Sequence, residues 1–456
     1  MIRLFILASL SFALPFANAA EYRAGVATVV ITPTEPIWMA GYASRNKPAE
    51  GKIHDLFAKA LCLEDGKGHV LLLLTTDLIG LTRSISESVT TAVSKETGLT
   101  RDRILLTASH THSGPVLREN LADMYDLSPA ETKKVQDYTA KLKGQLARVL
   151  VEAFQNRKPA KLSIGEGDVG FAINRRQATA KGVSIGLNPD GPVDHRVPVL
   201  KVESADGSKT MAVVFGYACH NTTLDLFQWN GDYAGFAQIE WEKGHPGAVA
   251  MFWSGCGADA NPNPRRLLEH AEKHGKALAT SVDAVLKKPM TTITGSFDSR
   301  YETIRLDFAT LPTKEQFQLD LKNRSFAVKT RAARLLKEWD ANGSIPNHYP
   351  HYPVQTWRLG ERVTWVALGG EVVVDYSLRL RRDLKGKGTG ALWIAGYAND
   401  VMAYIPSERV LHEGGYEAEF SMIYYGMPTK WAASTEERIV KTALKQVEEG
   451  ERVIQK

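Results

Sequence analysis

The chain has 456 residues, 44% hydrophobic and 23% charged, with a formal net charge of +5. That is a globular composition, long enough for one large domain or two smaller ones. The balance is close to neutral for this length, and no basic run of five or more residues occurs, so composition gives no case for nucleic acid.

Residues 1–19 read as a secretory signal peptide. Arg3 supplies the positive start, Leu4 to Phe16 the apolar stretch, and Ala17-Asn18-Ala19 a small-x-small cleavage site. The apolar stretch is too short to span a bilayer comfortably, and nothing later approaches the length of a membrane helix. The mature chain, residues 20–456, is therefore expected to be secreted or periplasmic, with a net charge of +4 once Arg3 is gone. The three cysteines, Cys62, Cys219 and Cys256, cannot all pair within one chain. A Cys219–Cys256 disulfide and two buried thiols are both open readings.

In chain order, Ala24 to Ile31 reads as a strand stopped by Thr32-Pro33. Ala58 to Leu63 and Val70 to Thr75 form a hairpin through an Asp-Gly turn. The second arm is apolar on both faces and so belongs inside a sheet. It ends at Thr75-Thr76-Asp77. A helix from about Ser84 to Glu96 leads to the strand Ile104–Leu106, which makes a βαβ unit with Asp77 and His110 at matching strand ends. Ser128, Pro129 and Glu131 are a capping box for a long helix whose buried stripe is Val135, Tyr138, Leu142, Leu146 and Val149. Strand pattern resumes at Ala160. Ile173 to Arg176 and Ala178 to Gly182 read as polar loops.

Val197 to Val202 with Met211 to Tyr217 is a second buried hairpin, ending at Ala218-Cys219-His220. Val249 to Trp253 is a short strand, and a helix follows from about Arg265 to Leu286. Then come a strand at Thr303–Phe308, one amphipathic helix from Lys314 to Trp339, and a strand at Arg362–Leu368 ending in Gly369-Gly370-Glu371. A helix runs on to about Arg382. Leu392 to Ala395 is a last strand, and a helix capped by Ser434 closes the chain. With no repeat and no flexible linker, the fold class is α/β: a single large domain of mixed β-sheets flanked by helices.

Five of these strands end in a polar turn with a chemistry-bearing residue: Asp77, His110, His220, Glu371 and the Asn399-to-Tyr404 loop. Strand ends at a sheet rim are where α/β proteins carry function. In Ser109-His110-Thr111-His112, residues two apart in an extended segment face one way, so both imidazoles can enter one pocket. Such a pair can bind a metal or move protons, and it can also be an ordinary surface pair. Two histidines and a carboxylate on one rim are the ligand set of a hydrolytic zinc site with an open position. Asp77 and Asp232 are suited to hold the second imidazole N–H groups.

These pieces, taken in order, resemble the catalytic domain of the neutral/alkaline, non-lysosomal ceramidases. Ile31-Thr32-Pro33 with Gly41-Tyr42-Ala43, Thr76-Asp77, His110-Thr111-His112-Ser113-Gly114-Pro115, and His220 followed by Gly231 to Gly235 carry the first half of the resemblance. Gly370-Glu371, Asn399 with Tyr404, and Tyr416-Glu417-Ala418 carry the rest. The His-Thr-His-Ser-Gly-Pro stretch is the most specific of them. The resemblance implies a ceramidase-like fold and a Zn2+ held by His110, His220, Glu371 and Tyr404. It also implies His112 as proton carrier and Tyr416 as the group that polarises the substrate carbonyl or steadies the oxyanion. Asp77 and Asn261 complete the candidate catalytic set.

The implied reaction is amide hydrolysis of a ceramide-like lipid or related small N-acyl compound, with transient contact at a membrane surface allowed. Esters, N-acyl sugars and a non-catalytic metal-containing binding protein stay open as alternatives. Two departures bear on the substrate more than on the metal. Gly257-Ala258-Asp259-Ala260-Asn261-Pro262 carries Asn261 where the family has an active-site Ser, and Asn is no hydrolytic nucleophile. The sequence also stops at Lys456, where the family continues into a C-terminal β-sandwich. Outside the motifs, His54, Asn174, Arg175 and Arg176 are weaker candidates for substrate contact. His195 reads as structural, Trp229, Trp253 and Trp357 as core, and Cys256 has no adjacent base that would make it a nucleophile.

Overall fold

The computed structural model describes residues 22–121 and 123–454, so the expected leader lies outside the described residues. Its strands in chain order are β1 (Tyr22–Val30), β2 (Phe57–Asp65), β3 (Val70–Thr76), β4 (Ile104–Ala108), β5 (Lys158–Asp168), β6 (Ala172–Thr179), β7 (Gly182–Asn188), β8 (Arg196–Ser204) and β9 (Thr210–Tyr217). They continue as β10 (Val249–Ser254), β11 (Ala260–Pro262), β12 (Thr291–Thr292), β13 (Phe297–Asp307), β14 (His348–Leu359), β15 (Val363–Leu368), β16 (Glu371–Val372), β17 (Ala391–Ala395) and β18 (Tyr404–Ile405). The helices are α1 (Arg83–Thr97), α2 (Pro129–Gln155), α3 (Asp232–Gly244), α4 (Leu268–Leu286), α5 (Lys314–Asp320), α6 (Phe326–Asn342), α7 (Val374–Asp383), α8 (Glu408–Glu413) and α9 (Thr435–Ile454).

The large sheet has the order β10-β9-β8-β5-β1-β2-β3-β4, with β12 beside β5, and mixes antiparallel hairpins with parallel pairs β3/β4 and β9/β10. A second sheet runs β13-β14-β15-β17. Period-two alternation sorts the apolar side chains between two layers. Ala58, Ala60, Cys62, Leu72 and Leu74 face α1 and α2. Leu61, Leu63, Leu71 and Leu73 face the other way, onto Trp357, Trp365 and Trp393 of the second sheet. The second sheet covers its outer face with α7 and α9. The result is four layers, helices outside and two sheets between. Burying an indole of roughly 200 Å² contributes about 5 kcal/mol gross, so this tryptophan-rich seam clamps the two sheets together.

That clamp matters for the site, because it fixes the ends of β3, β4 and β9 against the ends of β15 and β17. The two sheets are tied at their rims by isolated bridges, Thr107 to Ala398 and Gly255 to Ala395. Asn399 N donates to Leu106 O at 2.8 Å. The α2 capping box forms as its sequence requires: Glu131 N donates to Ser128 Oγ at 3.3 Å and Ser128 N to Glu131 Oε2 at 2.8 Å.

Three expectations are corrected. The stretch expected as polar loops is the hairpin β6–β7, extended by β11, because its arginines find buried partners from far along the chain. The helix expected over Lys314–Trp339 is two helices. Asn323 accepts from Ser325 N at 2.9 Å in a local turn, and Ser325 starts the second helix. β14 and α3 arise where no regular element was expected. Of the two readings left open for the cysteines, the structure has the free one: Cys62, Cys219 and Cys256 are all unpaired and buried. Trp229, Trp253 and Trp357 are buried in the core, as their sequence context implies.

Candidate metal centre

β4 runs out at Ala108, and the chain turns sharply at His110, whose φ is 61°. A non-glycine residue in that region stores strain of about 1–3 kcal/mol and persists only where its surroundings hold it. Here Ser109 N donates to Thr76 O at 2.8 Å and His110 N to Leu78 O at 3.0 Å. Thr111 then bridges to Asn221. The backbone at His110 is thus left-handed rather than extended, yet both rings still reach one pocket, with centroids 4.8 Å apart and planes at 81°. Asp232, Tyr397 and Asn399 share the positive φ, so strain gathers on this rim.

The ring nitrogens are oriented by their backs. His110 Nδ1 lies 2.6 Å from Ile79 O and His220 Nδ1 lies 3.1 Å from Gly257 O. Each Nδ1 must donate there, which leaves both Nε2 lone pairs aimed into the pocket. These carbonyls, not Asp77 or Asp232, orient the imidazoles. Asp77 accepts from Phe57 N at 2.9 Å and from Gln238 Nε2 at 3.4 Å. Asp232 accepts from the backbone N–H groups of Thr223, Leu224 and Tyr233. Both carboxylates are struts for the turns that carry the ligands, since a buried carboxylate is spent on the nearest N–H groups.

Glu371 and Tyr404 come from a separate two-stranded sheet beyond the ends of β15 and β17, where they are register partners in the parallel pair β16/β18. Glu371 Oε2 lies 3.0 Å from His110 Nε2 and 3.2 Å from His220 Nε2. That oxygen is nevertheless buried without an aligned hydrogen bond. Lone pairs facing one another at this spacing are what a shared cation produces: tetrahedral ligands at about 2.0–2.1 Å from zinc lie roughly 3.3 Å apart. Tyr404 OH sits 3.1 Å from His220 Nε2 and accepts from Arg175 Nη2 at 3.0 Å. His110, His112 and His220 each offer a ring nitrogen, all within 4.8 Å of one another. The donor chemistry therefore fits a divalent ion such as zinc.

Electrostatics agree. Burial, helped by Arg175, pushes the His220 imidazole down to about 3, so it is neutral at pH 7. Burial, then His110 and His220, holds His112 well below its usual value. Burial alone would raise the Glu371 carboxyl, but the two imidazoles hold it well below the ordinary range. A neutral His220 beside an ionised Glu371 is the pairing of protonation states that a metal requires.

His112 lies 3.1 Å from His110 through their Nε2 atoms, and its buried Nδ1 has no partner. It is 8% exposed, more than His110, His220, Glu371 or Tyr404, which puts it on the solvent side. Tyr416 packs edge-on against Tyr404, with ring centroids 5.4 Å apart. Asn261 Oδ1 accepts from Arg175 Nη1 and from Thr222 Oγ1, both at 3.3 Å. Asn261 thus steadies Arg175, whose Nε pairs with Glu417 at 2.7 Å inside the protein. Arg175 and Arg176 are not surface arginines: Glu417 bridges both. His54 lies 3.0 Å from Asp55 O through Nδ1 and accepts from Gly231 N through Nε2, tying its loop to the start of α3, and His195 bonds Ala172 O. Tyr425, whose hydroxyl donates to Glu371 Oε1, escaped the sequence reading; its one signal was the aromatic run at 424–425 beside Tyr416.

A sequence model of the neutral/alkaline non-lysosomal ceramidases, N-terminal, matches residues 22–265, more than half of the chain. The neutral ceramidase of Pseudomonas aeruginosa is 24% identical over 321 residues, 66% of this chain and 47% of that protein. Neutral ceramidase A of Dictyostelium discoideum is 25% identical over 54% of this chain and 36% of its own length. The neutral ceramidase of Mycobacterium tuberculosis is 22% identical over 83% of this chain and 70% of its own. The chain thus spans under half the length of the first two relatives. The crystal structure of the Pseudomonas aeruginosa neutral ceramidase superposes with a TM-score of 0.70 at 21% identity, covering 94% of this chain and 75% of that one. A ceramidase complexed with C2 gives a TM-score of 0.71 at 19% identity over the same shares. The fold is shared with these structures, and the chain belongs to the neutral/alkaline non-lysosomal ceramidase family.

Proposed function

We propose that this chain is an exported zinc-dependent amidohydrolase that cleaves the amide bond of an N-acyl substrate, a ceramide-like lipid or a related compound. The observation that carries the reading is Glu371 Oε2, buried without an aligned hydrogen bond at 3.0 and 3.2 Å from two inward-facing imidazole nitrogens. His110, His220, Glu371 and Tyr404 would hold the ion. Zinc in such a site lowers the pKa of bound water to about 7 and polarises a carbonyl.

The chain's own residues supply the rest. His112, neutral and on the solvent side, takes the proton of the attacking water and passes it to the leaving amine as the C–N bond breaks. Tyr416 keeps its proton through burial, so its hydroxyl can donate to the carbonyl oxygen as that oxygen gains charge. Burial holds the Tyr404 hydroxyl well above its ordinary pKa, and Arg175, donating to its oxygen, works in the opposite direction. Asn261 holds Arg175 and offers no nucleophile, which favours direct attack by water over an acyl-enzyme. That substitution also favours a second reading, in which the fold serves another acyl compound such as an ester or an N-acyl sugar, or binds without turnover. Hydrolysis by the zinc-loaded chain of a fluorescent N-acyl sphingoid, set against N-acyl sugars and simple esters, decides between them. No turnover on any amide would end the amidohydrolase reading.

A further inference from the structure

The mouth of the site is built differently from its floor. Tyr42 packs against His112, the most solvent-near of the three histidines, with ring centroids 4.8 Å apart. Around Tyr42 stand three arginines. Arg45 Cζ is 5.4 Å and Arg266 Cζ 5.5 Å from its ring centroid, Arg265 precedes Arg266 in the chain and lies in the electrostatic field of Tyr42, and the Tyr42 hydroxyl itself donates to Leu224 O at 2.8 Å. Arg45 spends both terminal nitrogens on backbone carbonyls, Leu226 O at 2.8 Å and His112 O at 2.9 Å. Arg266 is answered by Asp225 at 2.8 Å. Arg265 is not answered. Among the described residues no carboxylate forms an ion pair with it, and its Nε is buried without a hydrogen bond. The arginine lies four residues after Asn261, which holds Arg175, and Arg266 N fixes this segment to Thr223 O at 2.7 Å.

Half-buried positive charge without a counter-charge is costly, and clusters of this kind are found where an anion completes them. Burial weakens the hold of Arg265 on its proton most, Tyr42 works against that, and the neighbouring Arg266 and Arg175 add positive charge to its surroundings. We infer that Arg265, with Arg266 beside it, reads an oxyanion carried by the substrate near its scissile amide: a carboxylate or a phosphate on an N-acylated amine. This rests on the hydrolase reading for the reaction but not for the recognition. A neutral amino-alcohol amide leaves the arginines uncompensated, whereas an N-acyl amino acid supplies the missing charge within reach of the same site.

The test pairs N-lauroylglycine with N-lauroylethanolamine, which differ in charge but hardly in size, and adds N-lauroyl-phosphoethanolamine to separate carboxylate from phosphate. With the zinc-loaded chain, kcat/KM for one of the anions should exceed that for the neutral amide by roughly tenfold or more. In Arg265→Gln the ratio should collapse toward one, and Arg265→Lys should recover part of it. A ratio near one in the unaltered chain, or a ratio that survives Arg265→Gln, overturns the inference. Binding is measured in parallel by calorimetry on zinc-loaded His112→Ala. If no amide is cleaved, the hydrolase reading fails, while a roughly tenfold tighter anion that is lost in the His112→Ala, Arg265→Gln double variant still supports the arginine site. Equal binding of anion and neutral amide refutes it.

Discussion

Gly41 offers a way to move His112, the proposed proton carrier, without touching a proposed metal ligand. Its φ is +99°, and a Cβ built there would sit 2.4 Å from both Cγ and Nδ1 of His112. Ordinary contact needs about 3.5 Å or more, so Gly41→Ala must push the His112 ring aside by about 1 Å. Gly41 N also donates to Tyr125 OH at 2.6 Å, so the backbone there cannot drift freely. The unfavourable φ and the displaced ring together should lower stability by about 2–4 kcal/mol. A misplacement of about 1 Å in a catalytic group costs on the order of 10²-fold in rate. His110 and His220 lie beyond the displaced ring, so metal content should stay at the level of the unaltered chain. The assay is amide turnover with metal analysis and thermal melting of one preparation. Full kcat in Gly41→Ala, with the loss of stability seen, would show that His112 is not the proton carrier.

His112→Ala should keep its metal and lose turnover by roughly 10²–10⁴-fold, measured by single-turnover hydrolysis. Arg175→Met leaves Glu417 with Arg176 alone in the interior and should lower stability by about 3–5 kcal/mol, read by denaturant melting. Asp400 is pushed up to about 7 by burial, above its unfolded value of about 3.9. Its contribution is therefore complete below about pH 4 and is lost as pH rises through about 7, by at most about 4 kcal/mol. Asp400→Asn should accordingly gain relative to the unaltered chain between pH 4 and pH 8; an equal pH profile in both chains would count against that. Thiol titration of the denatured, unreduced chain should find Cys62, Cys219 and Cys256 all free.

What could be read in the sequence was local. The β3–α1–β4 unit and the α2 capping box carry their signals in neighbouring residues and fold as those signals require, while the His-Thr-His turn brings its two rings together through a left-handed His110 rather than the extended backbone expected. What could not be read depends on partners far along the chain. Ile173 to Arg176 looks like a polar loop until Glu417, more than 240 residues later, neutralises its arginines. β14 begins His-Tyr-Pro-His-Tyr-Pro, whose prolines argue against a strand, yet its second half is the buried interior of the second sheet. At the site, His110, His220 and Glu371 stood out as candidate ligands because each follows a strand, whereas Tyr404 was put beside them only by the family resemblance. The groups that orient the imidazoles were not legible, because backbone carbonyls of Ile79 and Gly257 have no side-chain signature. Asp77 and Asp232 were read as orienting groups for want of a way to see those carbonyls, and the structure gives them to the turns instead.

Metal analysis of the purified mature chain beside His110→Ala and His220→Ala tests the centre itself. One zinc per chain in the unaltered protein, and none retained after dialysis in either variant, is the predicted result. Stoichiometric zinc in both variants would mean that the two inward-facing imidazoles are not its ligands, and the reading of the pocket would fall with them.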